Sequence, residues 1–251
     1  MGSPSRRLRH AGPALIAVLL LAGVLPSTVA AAPARAYALD LGRRADFVPQ
    51  ATFVQCVGAS MQMMINMAEP GRDRSATTQR RLQAIARGLS GPSPDGFIRQ
   101  GANVMGWAAG LNQVGAGPYQ VVGKKTLQAA LKAAARAIRL TGRPVGLLVW
   151  RGRHAWVMSG FRATADPLTT RDFKVTHAIV EDPLYPHGSK TWGPSPAPGA
   201  ALTPTVLGRQ FVRRQSSSRW AQVSTWSLSF ADRYVMVVPY PMAIPGPARL
   251  I

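Results

Sequence analysis

The hydrophobic rhythm of this chain changes at Pro144, and that change limits the folds open to it. Before it, apolar residues recur every three or four positions. Val57, Met61, Met64, Ile65 and Ala68 predict a helix over 56–68, stopped by Glu69-Pro-Gly-Arg-Asp. A basic helix is expected over 77–88. A third is expected over 97–111 with Trp107 on its buried face, and a fourth over 125–140, rich in Ala and Leu. After Pro144 the runs are short. Val145-Gly-Leu-Leu-Val-Trp150 suits a buried strand, 151–153 a tight turn, and 154–161 and 173–180 two further strands. A Pro/Gly-rich loop follows over 192–204, then a short helix over 205–215 and a last strand over 232–239. Residues 37–49 read as extended. The pattern predicts an α+β domain of two layers, N-terminal helices packed on a C-terminal antiparallel sheet.

The N-terminus reads as an export leader. Arg6, Arg7 and Arg9 precede an apolar stretch from Ala14 to Leu25 that is too short to cross a bilayer comfortably. Small residues follow at 30–32 and 34–36. This is the pattern of a secretory signal peptide over 1–36, leaving 37–251 as one domain in a secreted, extracellular or cell-envelope setting. No second apolar run reaches transmembrane length, so no transmembrane segment is expected in the mature chain. Removing 1–36 takes four arginines and no acid from the 30 basic and 10 acidic side chains, so the remainder keeps a formal charge of +16. Such a charge favours anionic envelope polymers or lipid surfaces as partners. The arginines are scattered and match no zinc-finger, helix-turn-helix or RNP pattern, so no specific nucleic-acid partner is expected.

The chain has a single cysteine, Cys56, which excludes an internal disulfide. A lone Cys is often a small buried hydrophobe. This one, however, opens the first helix, and a helix N-terminus together with a nearby imidazolium is what stabilises a thiolate nucleophile. His154, beginning a strand just after a turn, is the candidate base, placed at a sheet edge. Asp182, ending the following strand before Pro183, could orient its ring if the two strands pair. Glu181 is a rival for that role. Gln50, six residues before Cys56, or Gln55 beside it, could donate to an oxyanion. His177 reads as a sheet-face residue and His187 as a loop residue. The Met61, Met63, Met64 and Met67 run reads as helix packing. No cofactor and no metal are expected.

These residues carry a resemblance. Gln50, Cys56-Val-Gly-Ala-Ser-Met, Pro144-Val-Gly-Leu-Leu-Val-Trp before Arg153-His154-Ala-Trp-Val-Met-Ser-Gly-Phe, Val180-Glu-Asp182-Pro and Arg233-Tyr-Val-Met-Val-Val-Pro occur in this order. In that order and spacing the chain resembles the papain-like cysteine peptidases of the bacterial C39-like peptidase family. The resemblance implies a papain-like fold and a thiol hydrolase acting on a peptide or protein substrate. Cys56 would be its nucleophile, His154 its base, Asp182 its orienting carboxylate and Gln50 its oxyanion glutamine. The stretch 183–204 is expected to wall the cleft. Two other functions use the same scaffold: a non-catalytic envelope-binding module with a basic surface, and an amidase or acyl-transferase.

Overall fold

The computed structural model describes residues 2, 35–69, 71, 73–91, 100–214 and 230–241. The leader, apart from residues 2, 35 and 36, the first residues of the expected third helix, and the end of the helix expected over 205–215 lie outside the described residues. The strands and helices run β1 (Tyr37–Asp40), α1 (Cys56–Ala68), α2 (Ala76–Gly88), α3 (Val104–Gln113), β2 (Tyr119–Lys124), α4 (Leu127–Thr141), β3 (Val145–Val149), β4 (His154–Ala163), β5 (Val175–Glu181), β6 (Gly188–Ser189), β7 (Gly193–Pro194), β8 (Ala200–Leu202), α5 (Pro204–Leu207) and β9 (Tyr234–Pro239). Three-residue 3-10 turns sit at Arg44–Asp46 and Trp150–Gly152.

The domain is mixed α and β, as expected, around an antiparallel sheet. Its main path is β2-β9-β3-β4-β5-β8, and β1 also pairs with β4. β4 is long enough to take two partners along one edge: β3 lies beside residues 154–158 and β1 beside 160–163. β6 and β7 form a separate small hairpin.

The layering differs from the expectation. Strand β1 precedes the helices, β2 lies between α3 and α4, and the sheet is covered on both faces. Alternation along the strands assigns the faces. Ala155 and Val157 of β4 and Val235 and Val237 of β9 pack in one core with α1, α2 and α3, around Met61, Leu82 and Trp107. Trp156, Met158, Met236 and Val238 pack in another core, on the alanine-rich face of α4 and on Leu207 of α5. The apolar stripe of α4 marks it as a packed helix without saying which face of the sheet it covers.

Polar caps fix the helix starts. Ser75, Asn103 and Thr126 each accept a first-turn N–H, from Thr78, Gly106 and Ala129. Asn103 therefore starts α3 later than the apolar pattern suggested. Gly142, at φ 64°, ends α4 in the left-handed conformation that glycine adopts without penalty. β2 was hidden in the sequence because its residues past Tyr119 are half-buried or exposed and do not alternate. Met61, Met63 and Met64 are buried helix-packing residues.

Candidate active site

α1 starts at Cys56 with no side-chain cap, since Gln55 makes none. Two buried glutamines of α2, one helical turn apart, organise the approach instead. Gln79 accepts from the Ala51 N–H at 2.8 Å and donates to the Pro49 carbonyl at 3.0 Å. Gln83 accepts from the Gly58 N–H at 2.8 Å and donates to the Val54 carbonyl at 3.0 Å. The segment 49–58 is thus held along its length. An α-helix leaves its first N–H groups without an intrahelical acceptor. Gln83 takes that of Gly58, so those of Cys56 and Val57 remain at the thiol end. Gly58 is required here: a Cβ would stand 2.7 Å from the Gln79 carbonyl oxygen.

α1 lies on β4, where the Ser60 hydroxyl donates to the Ala155 carbonyl at 3.4 Å. This contact places Cys56 beside His154, the residue before Ala155. His154 begins a central strand and is only 5 % exposed, so it sits at a strand end under cover and not at a sheet edge. β4 and β5 pair directly, with Val157 opposite Glu181. One step further along that register, Asp182 falls diagonally from His154 on the same face, within side-chain reach. His154 Nε2 meets Asp182 Oδ1 at 2.7 Å, and the Leu184 N–H also donates to that oxygen at 2.9 Å. Asp182 is fully buried.

Burial acts to lower the pKa of His154. Hydrogen bonds to Asp182 and to the Cys56 thiol, with the charges of both, outweigh it, and the value is raised to about 9. Nε2 is engaged by Asp182, so Nδ1 is the nitrogen left for Cys56. Asp182 and Cys56 therefore both act on the His154 ring, Asp182 through a direct hydrogen bond.

Gln50 reaches the same neighbourhood through its main chain, donating to the Pro183 carbonyl at 2.7 Å. Its amide nitrogen donates to Thr52 O at 2.9 Å, and its Oε1 is buried without a hydrogen-bond partner among the described residues. Gln55 Oε1 is likewise buried and unpaired among them. Glu181, the rival orienting acid, leads elsewhere. Its neighbours are Gly42, Ser159, Asp40 and Asp46. His177 is a half-buried strand residue bonded to Thr176, and His187 is exposed.

Sequence reasoning missed a second ring system. Trp150 stacks on His154 with centroids 4.2 Å apart, and Trp192 lies nearly parallel to Trp150 at 6.4 Å. Gln210 locks the arrangement: its Oε1 accepts from Trp150 Nε1 at 2.6 Å, its Nε2 donates to Trp192 O at 2.7 Å, and its carbonyl accepts from the Trp150 N–H at 2.9 Å. Trp150 and Arg151 adopt φ values of 55° and 57°, a left-handed backbone that costs a non-glycine residue about 1–3 kcal/mol. Such a pair just before a buried histidine was a signal the sequence could not give, because Trp and Arg do not announce that conformation.

A cleft of about 310 Å³ opens at Cys56. Phe53, Val54, Val104, Met105, Leu148 and Phe230 give it an apolar lining, with Arg153 and Arg214 as its charged members. Phe53 is 82 % exposed at this cleft. The stretch 183–204, expected as a wall, contributes no lining residue there. Among the described residues, no helix is long and apolar enough to cross a membrane. Comparison with family models, with curated proteins and with solved structures gives no match.

Proposed function

We propose that this chain is a papain-like thiol hydrolase, a cysteine peptidase that cleaves peptide amide bonds after export to the cell envelope or beyond. The observation that carries the reading is His154, held at 2.7 Å by the buried Asp182 carboxylate and near enough to the Cys56 thiol for that group to raise its pKa.

In this mechanism Cys56 Sγ adds to the amide carbonyl carbon and a C–S bond forms. The helix-start N–H groups of Cys56 and Val57, with the second amide hydrogen of Gln50, meet the negative oxygen. His154 Nδ1 gives its proton to the leaving nitrogen, and the C–N bond breaks. Water then adds to the acyl-enzyme while His154 takes its proton. The C–S bond breaks, a carboxylic acid leaves and the thiol returns. Asp182 holds the ring and offsets its charge throughout. The apolar cleft takes a side chain of an extended peptide.

Alkylation tests the site without knowledge of the substrate. Iodoacetamide near neutral pH labels Cys56, and His154→Ala slows that labelling about tenfold or more. Equal rates in the two proteins would remove the reading.

A further inference from the structure

A second cavity, of about 540 Å³, shares no lining residue with the cleft at Cys56. Two consecutive carboxyls at the end of β5 diverge, Asp182 to His154 and Glu181 to this cavity. Arg43, Arg44 and Arg74 line it, all exposed and none in an ion pair with another described residue. Phe47 and Tyr185 line it as well, their rings edge to face at 6.3 Å. Among the described lining residues the one acid is Glu181, which is 4 % exposed and whose Oε2 is buried without a hydrogen-bond partner among them.

Glu181 does not cancel the arginines. Burial raises its pKa, the Gly199 main-chain N–H acts the other way, and the nearby Asp40 and Asp46 raise it further, to about 8. Near neutral pH the one acid of the described lining is therefore largely uncharged and leaves the three arginines uncancelled. Arginines lining a concave surface and held in no ion pair with another described residue match a carboxylate or phosphate. Aromatic rings beside them offer apolar surface to the C–H face of a sugar ring.

We propose that this cavity binds an acidic saccharide, a sugar unit bearing a carboxylate or phosphate, with Arg43, Arg44 and Arg74 on the anion and Phe47 and Tyr185 against the ring. It gives an exported basic protein a specific hold on an anionic glycan, independent of the thiol.

Isothermal calorimetry of the full chain at low salt tests this, with trigalacturonate and glucose 6-phosphate as probes, maltotriose as neutral control and inorganic phosphate as bare anion. One or both charged sugars bind, and which one binds tells carboxylate from phosphate. Arg44→Gln and Arg74→Gln each weaken binding roughly three- to fivefold, while Arg209→Gln and Cys56→Ala leave it unchanged. Binding also weakens as pH rises through about 8, and Glu181→Gln removes that dependence. The groups facing Glu181 are Asp40 from β1, Asp46 from the 3-10 turn, Ser159 from β4 and the Gly199 N–H, with Arg43, Arg44, Arg74 and Tyr185 around the cavity. Equal weakening by Arg209→Gln, or charged sugars binding no better than inorganic phosphate, overturns the proposal. Because Cys56→Ala is neutral here, failure would leave the hydrolase reading intact.

Discussion

The indole of Trp150 lies on the imidazole of His154, their centroids 4.2 Å apart and their planes 23° from parallel. The indole covers one face of the His154 ring and offers its π face to an imidazolium. Trp150→Ala removes the cover and a buried side chain, so stability falls by roughly 3 kcal/mol. Trp150→Phe keeps a ring but loses the bond to Gln210, at about 1 kcal/mol. Urea titration measures both. The specific readout is the pH profile of Cys56 alkylation, which Trp150→Ala shifts and Trp150→Phe largely preserves. Matching profiles for both variants would make Trp150 a packing residue only.

The charge on His154 has its own signature. Its pKa rises from 6.5 to about 9, so its stabilising contribution is complete below about 6.5 and is lost as pH climbs through 9. Iodoacetate carries a negative charge and is drawn to the imidazolium. Its reaction with Cys56 is expected to slow above pH 9, while neutral iodoacetamide shows no such fall. If the two reagents kept parallel profiles across that range, the imidazolium would have no place beside the sulfur.

The contact between α1 and α2 is the mechanical support of the Cys56 end of α1. Gly58→Ala drives a methyl to 2.7 Å from the Gln79 carbonyl and 2.9 Å from Gln83 Cβ, costing about 1–3 kcal/mol. Gln83→Ala strands the Gly58 N–H and the Val54 carbonyl, at a similar cost. Both variants should also slow Cys56 alkylation, because the thiol end of the helix loses its fixed approach. Thermal melts with rate measurements decide the matter; lowered Tm with unchanged rates would separate support from chemistry.

Glu181 predicts a pH-dependent stability of opposite origin from most carboxylates. Its pKa in the folded protein rises from 4.5 to about 8, so its stabilising contribution is full below 4.5 and is lost as pH rises through 8. Glu181→Gln, uncharged throughout, should flatten that decline and raise stability at pH 8 by an amount on the order of a few kcal/mol. Urea midpoints at pH 5 and pH 8 for both proteins test it; an identical slope in the two would show that Glu181 ionises freely.

The candidate residues were legible because they belong to types with few other uses: one Cys at a helix start, a His after a turn, an Asp before a Pro. The supporting residues were not. Gln79 and Gln83 look like the polar face of a basic helix, and only tertiary packing turns them inward. Trp150 and Gln210 are sixty residues apart and meet only in the fold. The α4 stripe showed that the helix would be buried but not against which side of the sheet, so two layers were expected where both faces are covered. β2 and β8 were missed because short, half-buried strands carry no alternation to read.

The pairing of β1 with β4, and of β2 with β9, sets a schedule for the chain. Each early strand must wait for a partner more than a hundred residues downstream, so the sheet cannot close while the C-terminal part is still being made. Topologies dominated by such distant partners assemble slowly. On the export route proposed above, the chain would cross its membrane with its two halves still strangers, and the thiol and the imidazole would first meet on the far side.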